Sequence, residues 1–355
     1  MKFSKLFFIA LVSVSVFVSC TNEDEVKVDS GDYNEGVLVL NEGSSGQGSV
    51  SYISNDLATF TQDAYTAVNG TDLLGKYTQS IFFDGDNAYI IAGGSNKITI
   101  VNRNTFKIIA KIESGLASPR YGVVKDGKAY VTNANTYADY GAPADAVGYT
   151  DDYVAVINLA TNVVESKIEL KATANRIVSE NGKLYITEPY NSDKIIIVNP
   201  TTKALETSIN IGSDADTMEA KDGILYVMRS PYGVAGEIVK VKLSDKSLSK
   251  ITFPDALKGA KNLDIEQNTI YYTAGTSVYG MNTSATEASS TAIVSYTSTS
   301  AYGKMYGFAV RNNHIFIADG GDFTANSKAY VYSLNGTLEK EFTVGVGPNG
   351  FYFND

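Results

Sequence analysis

The sequence predicts an all-β protein, a seven-bladed β-propeller in which each blade has four antiparallel strands. Three observations carry this prediction. A hairpin motif recurs six times at intervals of 41 to 55 residues. No segment of the chain shows a sustained helical period. The two ends of the chain each carry part of a further blade, so we expect the ring to close through its termini.

The repeated unit is a strand, a two-residue turn and a second strand that carries an aromatic residue near its start. Its clear copies are Phe83–Ile90, Val124–Val131, Ser179–Ile186 and Ala220–Val227, and its weaker copies are Glu266–Tyr271 and Arg311–Phe316. The clear copies contain Asp-Gly or Asn-Gly, which type I′ hairpins favour because both central residues take positive φ. Aromatic residues in such a strand repeat are expected in the core, and these are Tyr89, Tyr130, Tyr185 and Tyr226.

Each hairpin is followed by a third and a fourth strand, as in Lys194–Asn199 and Ala204–Ile209. Four strands in a period of about 40–50 residues are typical of a propeller blade. The seventh blade is split between the two ends of the chain. Its second to fourth strands are predicted at Gly36–Asn41, Ser49–Ser54 and Ala58–Thr61, and its first strand at Pro348–Phe353. Six and eight blades are the alternatives to this count.

The composition excludes several classes of function. The chain has 355 residues, 29 basic and 39 acidic side chains, and a formal net charge of -10. Nucleic acid is not expected as a partner, because phosphate contacts need clustered Lys and Arg. The single Cys excludes an intrachain disulfide and a multi-cysteine metal site. The single His, His314, opens a strand beside a tight turn, where we expect a solvated side chain and not a general base.

The N-terminus is typical of a bacterial lipoprotein signal. Lys2 and Lys5 precede an apolar run, Leu6–Ser19, that is shorter than the roughly 20 residues needed to span a bilayer. The next residue, Cys20, stands where such signals place the acylated cysteine, and the three residues before it resemble a lipobox in which Phe17 replaces the usual Leu. An ordinary signal peptide with a chance cysteine is the alternative.

These features predict a signal peptide at residues 1–19, an acylated Cys20 with a polar acidic tether over 20–35, and a propeller domain over 36–355. Removing residues 1–19 takes away two lysines and no acid, which changes the net charge from -10 to -12. The segment Thr21–Glu25 resembles the acidic export signal of Bacteroidota-type lipoproteins. That resemblance implies a lipid-anchored protein on the extracellular face of the outer membrane.

The face opposite the tight turns is the predicted binding face, which we call the top. The loops expected there are long, and they cover residues 42–48, 133–152, 188–193, 229–236, 296–306 and 319–327. The top also holds many tyrosines, namely Tyr65, Tyr77, Tyr121, Tyr137, Tyr140, Tyr149, Tyr190, Tyr232, Tyr302 and Tyr306. A rigid ring with a hydroxyl suits recognition of a large, partly apolar ligand. Packing of loop against loop is the alternative.

Polar side chains at the strand ends complete the predicted site. They could bind the polar edges of a ligand, or they could bond the backbone of neighbouring blades. The first strands begin with Gln79, Arg120, Arg176, Asp216, Asn262 and Asn349. The predicted ligand-binding set is Asn41, Glu42, Tyr77, Arg120, Tyr121, Asn133, Tyr137, Arg176, Glu188, Tyr190, Arg229, Tyr232, Asn262, Tyr306, Asp319 and Asn349.

The sequence predicts no catalytic residues, no resident metal and no enzyme activity. It contains no phosphate loop, no dinucleotide fingerprint and no pair of carboxylates at a diagnostic spacing. A calcium-dependent propeller hydrolase is an alternative, because four top-face carboxylates could approach a calcium cage without a specific spacing. These carboxylates are Glu42, Glu188, Asp216 and Asp319. The acidic pair Asp151-Asp152 is expected to be part of a polar loop.

The repeat also carries a family resemblance. The Pro-X-X-aromatic strand starts, the Gly-Lys-X-Tyr-Val hairpins and strands such as Ile196–Pro200 resemble YncE-type seven-bladed propellers over residues 36–354. The opening segment Gly36–Gly43, followed by Gly48–Tyr52, resembles a subgroup of surface propeller lipoproteins. Members of that subgroup bind cobalamin and pass it to a partner TonB-dependent outer-membrane transporter.

The resemblance implies that this chain captures a corrinoid as a transported ligand and not as a cofactor. Three other functions are weighed against it. A glycan-binding surface lipoprotein is the second hypothesis, which the absence of Trp weakens because sugar platforms favour that residue. The calcium-dependent propeller hydrolase is the third, and an interaction scaffold without a small ligand is the fourth.

Overall fold

The computed structural model describes residues 31–139, 141–143 and 145–355, which form seven four-stranded antiparallel sheets. The first strands of successive sheets contact one another around a closed ring. The predicted seven-bladed propeller is therefore confirmed. The predicted signal peptide, Cys20 and most of the tether lie outside the described residues.

Each blade is one sheet, and its strands are given from the channel outward. Blade 1 has β28 (Pro348–Asn354), β1 (Gly36–Asn41), β2 (Ser49–Ser54) and β3 (Phe60–Thr61). Blade 2 has β4 (Thr78–Asp84), β5 (Asn87–Ala92), β6 (Lys97–Asn102) and β7 (Ile108–Ile112). Blade 3 has β8 (Pro119–Lys125), β9 (Lys128–Asn133), β10 (Tyr153–Asn158) and β11 (Val163–Glu169). Blade 4 has β12 (Arg176–Glu180), β13 (Lys183–Thr187), β14 (Lys194–Val198) and β15 (Leu205–Asn210).

The remaining blades follow the same order. Blade 5 has β16 (Ala215–Lys221), β17 (Ile224–Arg229), β18 (Glu237–Lys242) and β19 (Leu248–Thr252). Blade 6 has β20 (Lys261–Glu266), β21 (Thr269–Ala274), β22 (Ser277–Asn282) and β23 (Val294–Ser295). Blade 7 has β24 (Gly307–Arg311), β25 (His314–Asp319), β26 (Ser327–Ser333) and β27 (Leu338–Val344). Short 3₁₀ turns lie at Gly93–Ser95, Val147–Tyr149 and Asp255–Leu257.

The ring closes where β28 pairs with β1, as predicted from the split blade. Gly36 lies opposite Asn354 and Val39 lies opposite Phe351. The Asn354 amide nitrogen donates to the carbonyl oxygens of Tyr33 (2.6 Å) and Arg103 (2.9 Å), and its Oδ1 accepts from the Arg103 side chain. One side chain thus ties the C-terminal strand to the N-terminal entry and to blade 2.

The core consists of seven apolar clusters, one in each gap between neighbouring blades. Strand side chains alternate between the two faces of a sheet, so each blade contributes to the clusters on both of its sides. The predicted core tyrosines of the repeat are all buried, and they are Tyr89, Tyr130, Tyr185 and Tyr226. The Asp126-Gly127 turn has the positive φ angles, 52° and 71°, that the type I′ prediction requires.

The connection from blade 1 to blade 2 differs from the prediction. β3 begins at Phe60 and not at Ala58, and a six-residue helix, α1 (Ala64–Asn69), follows it. Asp63 caps this helix by accepting from the backbone N–H of Tyr65 at 3.1 Å. Tyr65 itself is buried, with its hydroxyl donating to Asp72 at 2.6 Å. Grouping Tyr65 with ligand-facing loop tyrosines is therefore wrong, because α1 packs this ring against β2.

The single histidine also differs from its expectation. His314 opens β25 beside the bottom turn, as predicted. Its side chain is, however, only partly exposed, and Nε2 lies 2.9 Å from a carboxylate oxygen of Glu339 on β27. The side chain is therefore only partly solvated, and the outer strand of the same blade supplies an acidic partner.

Hydroxyl groups tie neighbouring blades together near the top. Ser80 donates to the Arg120 carbonyl at 2.7 Å, and Thr132 donates to the Asn175 carbonyl at 2.6 Å. Thr187 repeats the contact with the Asp216 carbonyl at 2.9 Å. In each bond the acceptor is a backbone carbonyl oxygen at the start of a first strand. The channel edge of a first strand has no neighbouring strand, so side chains must satisfy its backbone groups.

Two carboxylates perform the corresponding task lower in the channel. Glu219 accepts from the Ile265 backbone N–H at 2.8 Å, and Asp264 accepts from that of Val310 at 2.9 Å. Burial, together with the charge of Asp264, raises the pKa of Glu219 to about 8. Burial raises the pKa of Asp264 to about 6. Ionisation of either carboxylate therefore lowers the stability of the folded protein.

Removing the closure side chain should destabilise the ring. Asn354→Ala leaves the Tyr33 carbonyl and the Arg103 side chain without their partner, which we expect to lower the free energy of unfolding by about 1–3 kcal/mol. The measurement is urea denaturation followed by circular dichroism. The matched control is Asn55→Ala, an exposed residue, for which we expect a change within about 0.5 kcal/mol. Equal effects of the two variants would contradict the closure role.

Neutralising Glu219 should change how stability depends on pH. Because its pKa is higher in the folded chain, Glu219 favours folding at low pH, and this contribution is lost as pH rises from about 4 through 8. Glu219→Gln keeps an acceptor for Ile265 and removes the charge. We expect its stability relative to the parent to be greater at pH 8.5 than at pH 5 by more than about 1.4 kcal/mol, which corresponds to one pKa unit. Glu180→Gln, at the end of β12, is the control, and identical pH profiles for Glu219→Gln and the parent would refute the prediction.

Candidate functional site

The top end of the channel is a polar mouth whose floor is built by first-strand side chains. Gln79 of β4 donates to the Tyr121 hydroxyl of β8 at 2.9 Å. The Arg176 guanidinium of β12 lies over the Tyr121 ring, 4.0 Å from its centroid, and Arg176 Nε donates to Asp216 of β16 at 3.2 Å. These four side chains cross four consecutive blades. The floor is thus a continuous layer of amide, phenol, guanidinium and carboxylate groups.

The charges of the floor are balanced within it. Burial disfavours the charge of Arg176, but the charge of Asp216 and its hydrogen bond to Arg176, together with Tyr121 and Tyr352, outweigh burial and raise the Arg176 pKa. Burial also raises the pKa of Tyr121 and of Tyr352, a residue of β28 close to Arg176. Both phenols are therefore neutral hydrogen-bonding groups near neutral pH.

Blades 7 and 1 meet at a second polar contact on the mouth. The Tyr306 hydroxyl donates to the Glu42 carboxylate, and the Tyr306 ring packs edge-on against Phe323 with centroids 4.8 Å apart. Burial and the nearby Glu42 carboxylate raise the pKa of Tyr306. This pair fixes a phenol ring on the side of the mouth opposite blade 4.

Exposed tyrosines surround the mouth, as the composition of the loops predicted. Tyr137 and Tyr190 are 69% and 86% exposed, Tyr232 is fully exposed, and Tyr77 is 44% exposed. Exposed apolar surface that is grouped around one opening is typical of an interaction site. Tyr137, Tyr190 and Tyr77 border depressions of the mouth. We call these rings the tyrosine rim.

The long loop of blade 3 is held over the mouth by its acidic pair. Asp152 is buried and accepts from the backbone N–H of Asn135 at 3.0 Å and of Ala174 at 2.7 Å. Asp151 accepts from the side chains of Asn135 and Thr136, both at 2.8 Å. Burial raises the pKa of Asp152 to about 6. Both carboxylates lie in the loop before β10, as expected, and Asp152 in addition organises this loop and links it to blade 4.

Two depressions flank Arg120, the second residue of β8. One, of about 390 Å³, lies between the 134–152 loop and the 188–191 loop. The other, of about 370 Å³, lies between Tyr77 and Gly94 of blade 2 and Glu42 of blade 1. Arg120 and Tyr137 line both, and the Arg120 guanidinium donates to the Tyr137 hydroxyl at 2.6 Å. A ligand large enough to fill both depressions would cross these two side chains.

Several predicted ligand-binding residues instead bond the protein itself. Asn133 accepts from Ala117 N–H and donates to the Val131 carbonyl, both at 2.9 Å. Glu188 accepts from the Thr173 hydroxyl and from Asn191 N–H. The others of this kind are Asn41 with Ser49 and Ser51, Arg229 with Glu237 and the Ser213 carbonyl, Asn262 with Thr273 and the Met305 carbonyl, Asp319 with Gly321 N–H, and Asn349 with the Thr78 carbonyl. That these residues contact a ligand stays a prediction. In the structure their hydrogen bonds connect loops and blades of the protein.

Three residues of the mouth are absent from the predicted ligand-binding set. Gln79 bonds Tyr121, Tyr352 lies at the floor, and Tyr149 lines the larger of the two depressions. The signal for Tyr352 was available, because it lies on the predicted first strand that closes the ring. Tyr149 lies inside the blade 3 loop, whose course no repeat pattern specifies. Tyr140 lies outside the described residues.

A further cavity of about 710 Å³ lies away from the channel, between the 297–302 loop and the 319–330 segment of blade 7. Its walls are rich in hydroxyl groups, with Ser298, Thr299 and Ser300 on one side and Ser327 on the other. Tyr302, which is 88% exposed, stands at its edge. Among the described residues, no three His, Cys, Asp or Glu side chains are grouped to hold a metal ion. The part of the chain that the structure describes also has no helix long and apolar enough to cross a membrane.

The ring resembles solved propellers at low sequence identity. A quinonprotein alcohol dehydrogenase-like protein from Bacteroides thetaiotaomicron superposes with a TM-score of 0.68 at 17% identity, over 91% of this chain and 79% of that one. A protein provisionally called a 6-phosphogluconolactonase, from Bacteroides fragilis, gives 0.63 at 13% identity, over 91% and 99%. Virginiamycin B lyase from Staphylococcus aureus gives 0.57 at 15% identity, over 77% and 87%. At these identities the likeness concerns the fold alone.

Comparison with curated proteins finds no match. A family model does match, over residues 35–354, which is the ring from the residue before β1 to the last residue of β28. The chain therefore belongs to the family described as a domain of unknown function, DUF5074.

Proposed function

We propose that this protein captures a corrinoid such as cobalamin at the mouth of its propeller and catalyses no reaction. The proposal extends to its place in the cell. The protein would be a lipoprotein on the outer face of the outer membrane, and it would pass the ligand to a TonB-dependent transporter. The resemblance of the opening strand pair to cobalamin-capture lipoproteins motivates the choice of ligand.

The observation that carries the proposal is the tyrosine rim around a hydrogen-bonding floor. A corrin is a broad, largely apolar ring whose edge bears amide groups. Tyr137, Tyr190 and Tyr77 have flat apolar ring faces that are exposed to solvent. The floor offers matching polar groups in Gln79 and Tyr121. Ligand sites of this kind combine an apolar lining with a few fixed polar groups.

The position of the histidine bears on how cobalt would be held. His314 lies beside a bottom turn, at the opposite end of the channel from the mouth, and it faces Glu339. A corrinoid at the mouth would therefore keep its own lower axial ligand, because the chain has no other histidine to replace it. Affinity would come from packing and hydrogen bonds.

The position of the first described residues is compatible with capture of a ligand from the extracellular side. Tyr33 N–H donates to the carbonyl of Asn104, in the turn between β6 and β7 at the bottom of blade 2. The described chain thus begins on the face opposite the mouth. Attachment through Cys20 would leave the mouth accessible to ligand.

Glycan binding is the second candidate, and the off-axis cavity favours it. Its hydroxyl-rich walls and the exposed ring of Tyr302 are suited to a sugar, whose polar rim and apolar face need both kinds of contact. Binding of an oligosaccharide that is lost in Tyr302→Ala and kept in Tyr190→Ala would support this candidate.

Isothermal titration of residues 21–355 with cyanocobalamin tests the proposal. We expect one-to-one binding with a Kd below about 1 μM, equivalent to more than about 8 kcal/mol of binding free energy. Titration at two temperatures guards against a binding enthalpy near zero. Absence of heat at both temperatures, together with no retention of the vitamin in equilibrium dialysis, contradicts the proposal.

Removing one ring of the rim should weaken this binding without affecting the fold. Tyr190→Ala removes a side chain that is 86% exposed, so stability should change by less than about 0.5 kcal/mol. We expect Kd for cyanocobalamin to rise about tenfold or more, because a buried aromatic contact is worth at least about 1.4 kcal/mol at a binding centre. Tyr302→Ala, equally exposed but in the off-axis cavity, is the control and should keep the parental Kd. The reverse ranking of the two variants would move the site to that cavity.

A further inference from the structure

The arginines of the chain differ in what they bind. There are five, and four of them donate to a carboxylate, a side-chain amide oxygen or a backbone carbonyl oxygen. Arg176, Arg229 and Arg311 form ion pairs with Asp216, Glu237 and Asp355. Arg103 donates to Asn354 and to the Asp355 carbonyl oxygen. Arg120 is the remaining one, and it lies at the mouth.

Arg120 lacks an acidic partner among the residues that the structure describes. Its one hydrogen bond runs from Nη2 to the Tyr137 hydroxyl, and its guanidinium carbon lies 5.9 Å from the centroid of that ring. Its Nε is buried and has no hydrogen-bond partner within the described chain. A buried charged donor without an acceptor is costly, and such groups in native proteins call for an explanation. An oxygen atom of a bound ligand can supply this acceptor.

The surroundings of Arg120 specify the charge of that acceptor. Asp216 already compensates Arg176, and Glu42 is engaged by Tyr306. Asp152, the carboxylate of the adjoining loop, is bound by two backbone N–H groups. The chain as a whole carries -10, so an anion is held only where a local cation favours it. Arg120 is the cation that lines both mouth depressions, and it forms no ion pair with the residues that the structure describes.

We propose that Arg120, positioned by the Tyr137 hydroxyl, binds an anionic phosphodiester of the captured ligand. This inference rests on the proposed function, since the phosphodiester of a complete corrinoid belongs to its nucleotide loop. Arginine suits this task because its fork of N–H donors matches two phosphate oxygens at once. The corrin would lie on the rim and floor, and the nucleotide loop would enter the depression beside the 134–152 loop. The protein would thereby distinguish complete corrinoids from precursors that lack the loop.

The test compares two ligands in two variants of residues 21–355. The ligands are cyanocobalamin and dicyanocobinamide, which keeps the corrin and its amides but has no nucleotide loop and no phosphate. Arg120→Gln should raise Kd for cyanocobalamin at least tenfold and should change Kd for dicyanocobinamide by less than about twofold. The control is Arg311→Gln, the same change at the bottom of the channel, which should alter neither Kd.

Stability and salt dependence add readouts that a purely structural role would not produce. Arg120→Gln removes a buried donor without an acceptor, so its thermal unfolding midpoint should be equal to or above that of the parent. The parental Kd for cyanocobalamin should rise with ionic strength, and this dependence should weaken in the variant. A lower unfolding midpoint together with equal losses for both ligands would assign Arg120 to the scaffold and overturn the inference.

The outcomes separate the two proposals. If the parent binds both corrinoids and Arg120→Gln changes neither Kd, the phosphodiester contact is wrong and capture stands. If the variant loses both ligands equally, Arg120 contacts the corrin or shapes the mouth, and the inference is also overturned. If the parent binds neither ligand, the proposed function fails and this inference fails with it.

Discussion

The pairing of β28 with β1 is the contact on which the rest of the molecule depends. Each blade covers its apolar faces only against the blades on both sides, so a ring with one incomplete blade would expose a cluster and a strand edge. Closure supplies the missing strand, and Asn354 ties it to Tyr33 and Arg103. It also brings Glu42 of blade 1 beside Tyr306 of blade 7. The mouth therefore exists as a continuous surface because the two ends of the chain meet.

The sequence predicted the fold well, because the geometry of a blade depends on a short sequence pattern that recurs along the chain. The repeated hairpin and its buried tyrosines located each blade, and the split blade located the closure. Local departures escaped that pattern. The helix after β3 depends on the Asp63 cap and on packing of Tyr65, and the partner of His314 depends on the outer strand β27. These contacts arise from tertiary placement, which neither periodicity nor spacing encodes.

The candidate site was predicted less completely, for a physical reason. A polar residue at a strand end has the same sequence signature whether it binds ligand or holds a loop. Asn133 and Glu188 bond backbone groups, whereas Arg120 has a buried nitrogen for which the described residues supply no acceptor. Only coordinates separate the two cases, because the distinction lies in the hydrogen-bond partners. The exposed rings of Tyr137 and Tyr190 were the part of the site that composition did reveal.

The most direct test of capture at the mouth is a crystal structure of residues 21–355 with cyanocobalamin. Capture at the mouth predicts corrin density across the tyrosine rim between Tyr77 and Tyr190, with the phosphate within hydrogen-bonding distance of the Arg120 guanidinium. Ordered vitamin in the off-axis cavity beside Tyr302, or at the bottom turns near His314, would contradict it.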